Sequence, residues 1–156
     1  MTTDPHLALL RRSIAVAANA RAHGNHPFGA LLADPSGRVL LEAENTVNTE
    51  RDGTGHAETN LIRLATRMLT PEALATATLY ASTEPCPMCA GAIYWGGVRR
   101  VVFCVGEDAL YGLMPPGAWA LPLHTRDVLS HAAHAVEVIG PLHEAEGLAV
   151  HAGFWA

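Results

Sequence analysis

Residues 76–105 read TATLYASTEPCPMCAGAIYWGGVRRVVFCV, and the fold turns on how this stretch is read. Thr76 to Ser82 predicts a strand, Cys86 to Trp95 a helix that Gly96-Gly97 terminates, and Val98 to Val105 a second strand, strongly β-branched. Strand, helix and strand in that order require a right-handed crossover, so the two strands are expected to be parallel neighbours.

Upstream, Asp4-Pro5 reads as an N-cap followed by proline at the first helical position. Leu7, Leu10, Ile14, Ala17 and Ala18 then recur at helical spacing until Gly24. Phe28 to Ala33 and Arg38 to Ala43 are apolar runs separated by the turn sequence Asp34-Pro35-Ser36-Gly37, which predicts a β-hairpin. A polar loop over Asn45 to Thr54 precedes a helix over Gly55 to Leu69, with Leu61, Ile62, Leu64, Ala65 and Met68 on one side and Thr70-Pro71 as its stop. Downstream, periodicity fails from Gly106 to Leu123, around Met114-Pro115-Pro116-Gly117, and a loop that long is usually functional or disordered. Ala135 to Ile139 reads as a last strand and Leu142 to Trp155 as a C-terminal helix. The expected architecture is one domain over residues 1–156, a three-layer α/β/α sandwich with a mixed sheet of about five strands.

Composition narrows the function. The 156 residues are 49% apolar and 16% charged, the balance of one globular domain. No stretch of 18 apolar residues occurs, and Met1-Thr2-Thr3-Asp4-Pro5 lacks the basic head of a secretory signal, so no membrane association and a cytoplasmic location are expected. All ten basic residues are arginines, none lies beyond Arg126, and the formal charge is −5, which sets most of the surface against a nucleic-acid polyanion. A small neutral substrate fits better. Three cysteines, two of them three positions apart, suit a metal site better than a disulfide framework.

The chemistry gathers in His56-Ala57-Glu58 and, after 26 intervening residues, Pro85-Cys86-Pro87-Met88-Cys89. Two thiolates and one imidazole, each at the start of an expected helix, give three ligands of the kind tetrahedral zinc prefers, with the fourth corner open to water. Unpaired N–H groups and the positive helix end favour thiolate over thiol there. Zinc with two thiolates is formally neutral, which leaves water acidic enough to pass a proton to a carboxylate, and Glu58 stands two residues from His56 to receive it and return it to a substrate. The competing reading is a structural zinc knuckle or a non-catalytic zinc module. A knuckle needs a fourth protein ligand, and the spare thiol, Cys104, lies in the apolar run Val101 to Val105, where a small core residue is the simpler account.

These residues resemble the cytidine deaminase-like superfamily, whose H-x-E and P-C-x-x-C signature marks zinc nucleobase deaminases. The resemblance runs from about Pro27 to Val105, and Pro27-Phe28-Gly29-Ala30, Glu44-Asn45, His56-Ala57-Glu58 and the stretch Pro85 to Trp95 are most similar to bacterial guanine deaminases. It implies one zinc ion per subunit on His56, Cys86 and Cys89, Glu58 as the catalytic acid and base, and ammonia released from a free aminated nucleobase or related heterocycle. It further implies that Asn45 and the Ala57 N–H contact the base, that Phe28 and Trp95 line its pocket, and that the chain forms a homodimer. The segment of about residues 141–156 would then exchange and cap the partner's site. The tRNA adenosine deaminases are next in similarity, sharing Cys-Ala-Gly-Ala and an asparagine matching Asn45, and Arg99 and Arg100 are the candidates for a local phosphate patch. One departure bears on the substrate: where guanine deaminases carry Gly-Phe-Asp after the fourth strand, this chain has Ala109-Leu110-Tyr111-Gly112-Leu113-Met114. That change widens the expected range to cytosine, isoguanine or an s-triazine.

Other residues are weaker candidates. His26 adjoins Pro27-Phe28 and is placed near the pocket, with a loop hydrogen bond as the alternative. Phe154 and Trp155 either close over a ligand or bury against a subunit or the chain's own core. Tyr111 and Trp119 either cover the pocket or pack at a subunit contact. His124, His131 and His134 could be read as a second metal cluster, but solvated or capping roles are the simpler reading.

Overall fold

The computed structural model describes residues 3–156. In chain order it comprises α1 (Leu7–Ala22), β1 (Gly29–Ala33), β2 (Val39–Glu44), α2 (Val47–Glu50), α3 (Ala57–Met68), α4 (Pro71–Thr76), β3 (Thr78–Thr83), α5 (Pro87–Trp95), β4 (Arg100–Val105), α6 (Glu107–Tyr111), α7 (Thr125–Leu129), β5 (Glu137–Ile139) and α8 (Glu144–Leu148), closing with a 3-10 turn at Ala149–His151. The strands form one open mixed sheet in the order β2-β1-β3-β4-β5. β1 is antiparallel to β2 and β3, whereas β3, β4 and β5 run parallel, as the crossover through α5 requires.

The period of two along each strand builds two cores. Leu31 stands beside Tyr80 and Tyr80 beside Val102, and these face α1 with Leu10 and Cys104. Their neighbours Leu32, Leu79 and Val101, with Ala81 and Phe103, face Leu61, Ile62 and Ala65 of α3 and Ile93 of α5. The result is the three-layer α/β/α sandwich expected from the sequence. Gly29 sets how close α1 lies: a Cβ there would stand 2.5 Å from both Ala17 N and Ser13 O, so any side chain would lift the helix off β1.

Several boundaries differ from expectation. Thr70-Pro71 does end α3, but it also begins α4, because the Thr70 hydroxyl accepts the Ala73 N–H at 3.1 Å and proline suits the first turn. The polar loop contains α2, and the irregular 106–123 segment begins with α6. The C-terminal helix expected over Leu142 to Trp155 is only the five residues of α8 and one 3-10 turn, since Gly153 takes φ +72° and the chain bends back on itself.

Both sheet borders are short or charged. β2 carries Glu42 and Glu44 and slips register opposite Leu32 and Ala33. β5 has three residues, with Glu137 paired to Arg100 at 3.1 Å. Among the described residues no helix is long and apolar enough to cross a membrane.

Candidate metal centre and pocket

His56 and Cys86 occupy equivalent places: each is the extended residue immediately before a helix, α3 and α5, and neither caps it with its own side chain. Pro87 fixes the first residue of α5, and Cys89, one turn on, points back toward Cys86. The two sulfurs lie 3.4 Å and 3.6 Å from His56 Nδ1, and the three donor atoms are all within 4.8 Å of one another. One imidazole nitrogen and two sulfurs at this spacing match the donor chemistry of zinc, so His56, Cys86 and Cys89 fit a metal ion. The hydrogen bond from Cys89 pulls the Cys86 thiol down to about 4 against the effect of burial, with His56 acting in the same sense. Cys89 is pushed above its usual value by that same bond and by burial, while Thr59 Oγ1, 3.2 Å away, works in the opposite direction. His56 is raised, chiefly by its hydrogen bond with Cys86.

Glu58 lies in the first turn of α3, 5% exposed, and burial pushes its carboxyl above the ordinary value. It opens onto a cavity of about 320 Å³ whose other walls include Phe28, Thr83, Tyr111, Trp119 and Trp155. That volume suits a small heterocycle. His26 also lines the cavity, and burial lowers its pKa, with the His56 charge adding to the effect.

The C-terminal tail supplies one wall. Trp155 packs 6.0 Å from Phe28 and 5.8 Å from His26, and Phe154 stands edge-on behind it at 4.8 Å. Arg21 anchors the tail through the carbonyls of Val150 and Ala152 and lies 5.5 Å from the Phe154 ring centre. The Trp155 indole N–H donates to His151 Nδ1 at 3.0 Å, which leaves the proton of a neutral His151 on Nε2, buried and without a partner.

A second cluster joins residues that local spacing could not connect. Glu84, at the end of β3, accepts the backbone N–H groups of Glu107 and Thr125, both at 3.0 Å, and lies 3.2 Å from His124 Nδ1. Glu107 and Thr125 are the first residues of α6 and α7, so one buried carboxylate caps two helices whose own preceding residues provide no side-chain cap. Glu107 is 4% exposed and burial raises its pKa; His124 is raised by Glu84. Glu84 and Glu107 both reach the cavity. His131 and His134 are exposed, in line with the solvated reading, whereas His124 meets the carboxylates of Glu84 and Glu107. The signal for Glu84 in the sequence is a glutamate directly before Pro85-Cys86.

The remaining expected contacts divide. Asn45 is buried, its N–H bonded to the Phe28 carbonyl at 3.1 Å and its Oδ1 accepting the Val47 N–H, which holds it against the pocket-lining Phe28 segment. Ala57 is fully buried between His56 and Glu58. Trp95 is the correction: at the far end of α5 it is 85% exposed and does not reach the cavity of its own chain, because one face of that helix packs on α3 and the last turn carries Trp95 outward. Trp119 is fully exposed at the cavity rim, and Tyr111 lines the wall, its hydroxyl bonded to the Leu121 backbone. Cys104 is buried on the other face of the sheet, its thiol donating to the His143 carbonyl at 3.2 Å and pushed up to about 11 by burial, as a core residue should be.

With this arrangement in view, residues 3–105 match the family described as the cytidine and deoxycytidylate deaminase zinc-binding region, and the chain belongs to that family. It is 42% identical over 155 residues to a probable cytosine deaminase of Schizosaccharomyces pombe, covering 98% of this chain and 94% of that one. Among solved structures, the guanine deaminase of Bacillus subtilis superposes with a TM-score of 0.63 at 36% identity, covering 70% of this chain and 69% of that one. A structure from a study of A-to-I editing by tRNA:A34 deaminases superposes with a TM-score of 0.73 at 30% identity, covering 92% of this chain and 99% of that one.

Proposed function

We propose that the protein is a zinc-dependent hydrolytic deaminase of a free aminated nucleobase or related heterocycle. The observation that carries this reading is the buried carboxylate of Glu58, opening onto the same small aromatic-walled cavity as His56 and Cys86. His56, Cys86 and Cys89 would hold the metal, and a zinc ion bound there would acidify water and stabilise negative charge on oxygen. Glu58 is placed to take a proton from the attacking water, whose oxygen bonds to the ring carbon bearing the amino group, and to deliver that proton to the adjacent ring nitrogen. Glu58 then carries the remaining proton of that water, from the new hydroxyl, to the amine, and the carbon–nitrogen bond breaks to leave a carbonyl and ammonia. Phe28 and Trp155, packed on each other, form one aromatic wall against the ring, with His26 and Phe154 bracing Trp155, while the resemblance supports Asn45 and the Ala57 N–H as contacts to the base edge. The tail over residues 141–156 caps the site.

Similarity to cytosine and guanine deaminases supports a base substrate. Similarity to tRNA deaminases favours a second reading, on RNA. The charge distribution opposes it. Arg11, Arg12, Arg38 and Arg100 are each paired with a carboxylate, and Arg21 and Arg126 hold backbone carbonyls, which leaves Arg51, Arg63, Arg67 and Arg99 for phosphates on a chain of formal charge −5. Reduced thiol ligands support a cytoplasmic setting, and the exposed Trp95 and Met88 on one helix support a homodimer. An ammonia-release screen over guanine, cytosine, adenine, isoguanine, aminotriazines and the corresponding nucleosides tests the reading, together with a gel shift against tRNA. Ammonia from a free base is expected; tight, salt-sensitive tRNA binding with no turnover of bases would overturn it.

A further inference from the structure

We propose that Glu107 accepts a ring N–H of the substrate, and that the protein thereby admits free bases and rejects their ring-N-substituted forms, nucleosides included. This rests on the deaminase reading above and assigns its specificity to one side chain.

The parallel pair β3 and β4 places Thr83 opposite Val105, so the residues that follow, Glu84 and Glu107, emerge side by side at the carboxyl ends of the strands, where ligands of open α/β sheets bind. The two carboxylates are not equivalent. Glu84 is spent on the first N–H groups of α6 and α7 and on His124. The carboxylate of Glu107 accepts no hydrogen bond among the described residues; its nearest cation is His124 Nδ1 at 3.4 Å, a nitrogen that lies closer to Glu84. A carboxylate this far from bulk water needs donors, and the cavity it lines is where they can come from.

A second unmet group stands beside it. Thr83 lines the same cavity, and its Oγ1 is buried without a hydrogen-bond partner. An unpaired acceptor in a cavity also lined by Phe28, Tyr111, Trp119 and Trp155 describes a socket for the edge of a flat, hydrogen-bonding heterocycle. A free base offers a ring N–H to such an acceptor. Carbon at that nitrogen removes the donor and leaves the carboxylate buried and unpaired, the kind of mismatch that discriminates strongly.

The test uses the zinc-loaded protein and whichever free base gives ammonia, alongside that base methylated at the ring nitrogen that carries the sugar in its nucleoside. Wild type is expected to favour the free base by about a hundredfold in kcat/KM. Glu107→Ala should bring that ratio to within about threefold, by losing the free base rather than by gaining the methylated one, with the loss carried by KM. Glu107→Gln keeps the shape and one acceptor oxygen, so it should retain wild-type thermal stability and lose roughly tenfold on the free base alone. Quenching of tryptophan fluorescence, through Trp119 and Trp155 on the cavity, reads binding without turnover and should show the same ordering. Variants that weaken free and methylated bases equally, or leave their ratio at the wild-type value, overturn the proposal. A wild type that deaminates nucleosides as readily as bases overturns it and leaves the deaminase reading intact, whereas one that releases ammonia from no ring overturns both.

Discussion

Glu58 and Cys86 sit within one turn of the same centre and should fail differently when changed. Glu58 lies beside the metal donors without belonging to them, so Glu58→Gln is expected to keep a full equivalent of zinc and lose roughly a thousandfold in kcat. Cys86→Ala removes a donor and should lose both zinc and stability. Elemental analysis of the two proteins beside their ammonia-release rates separates the roles, and a Glu58→Gln protein with near wild-type turnover would remove Glu58 from the chemistry. His151 makes a prediction about pH. Burial, aided by the Arg21 charge, holds it down to about 4 in the folded chain against an ordinary value of 6.5. The unfolded chain therefore takes up a proton that the folded chain refuses, so stability is full above about pH 6.5 and falls by about 3 kcal/mol as the pH drops through 4. Urea unfolding at pH 7 and at pH 4.5 should show this loss, and His151→Gln, which can still accept the Trp155 N–H, should lack most of it.

At the scale of elements, the close passage of α1 over β1 is the most sensitive contact. Gly29→Ala pushes a methyl into the helix backbone at 2.5 Å, and a shift of α1 is expected to cost at least about 2 kcal/mol, read as a lowered Tm with the metal content unchanged. Elements long enough to show a period were readable from the sequence: α3, α5 and the hairpin stand within a few residues of where alternation and punctuation put them, while α1 begins at Leu7 after His6, later than the Asp4-Pro5 start expected. The candidate ligands were readable for the same reason, since His56 and Cys86 each stand just before a helix marked by its own pattern and Cys89 lies in the first turn of α5. Helices of four to six residues were not, because α2, α4, α6 and α7 are shorter than the window a helical period needs and several are held by capping partners such as Thr70 and Glu84. Trp95 was misplaced because its nearness to Cys89 in sequence says nothing of which way the end of the helix faces.

Across the whole molecule, the metal centre ties α3 to α5 on one side of the sheet, so the ion should stabilise the folded chain as well as serve the reaction. Zinc at a thousandfold excess over its dissociation constant adds about 4 kcal/mol to a state that alone binds it, and a chelator should lower Tm by roughly 10 °C, reversibly on adding zinc back. A Tm indifferent to chelation, in protein shown to carry zinc beforehand, would mean that the unfolded chain holds the ion equally well.

An open sheet of five strands has two raw borders, and each is an invitation for other chains to stack on by backbone pairing. Here one border bears Glu42 and Glu44 on a strand thrown out of step with its neighbour, and the other is too brief to template more than a residue or two. Self-association by ribbon growth is thereby blunted at both flanks. Copies of this chain should meet through helical surfaces, and concentrated protein should be slow to form fibrils even when partly loosened.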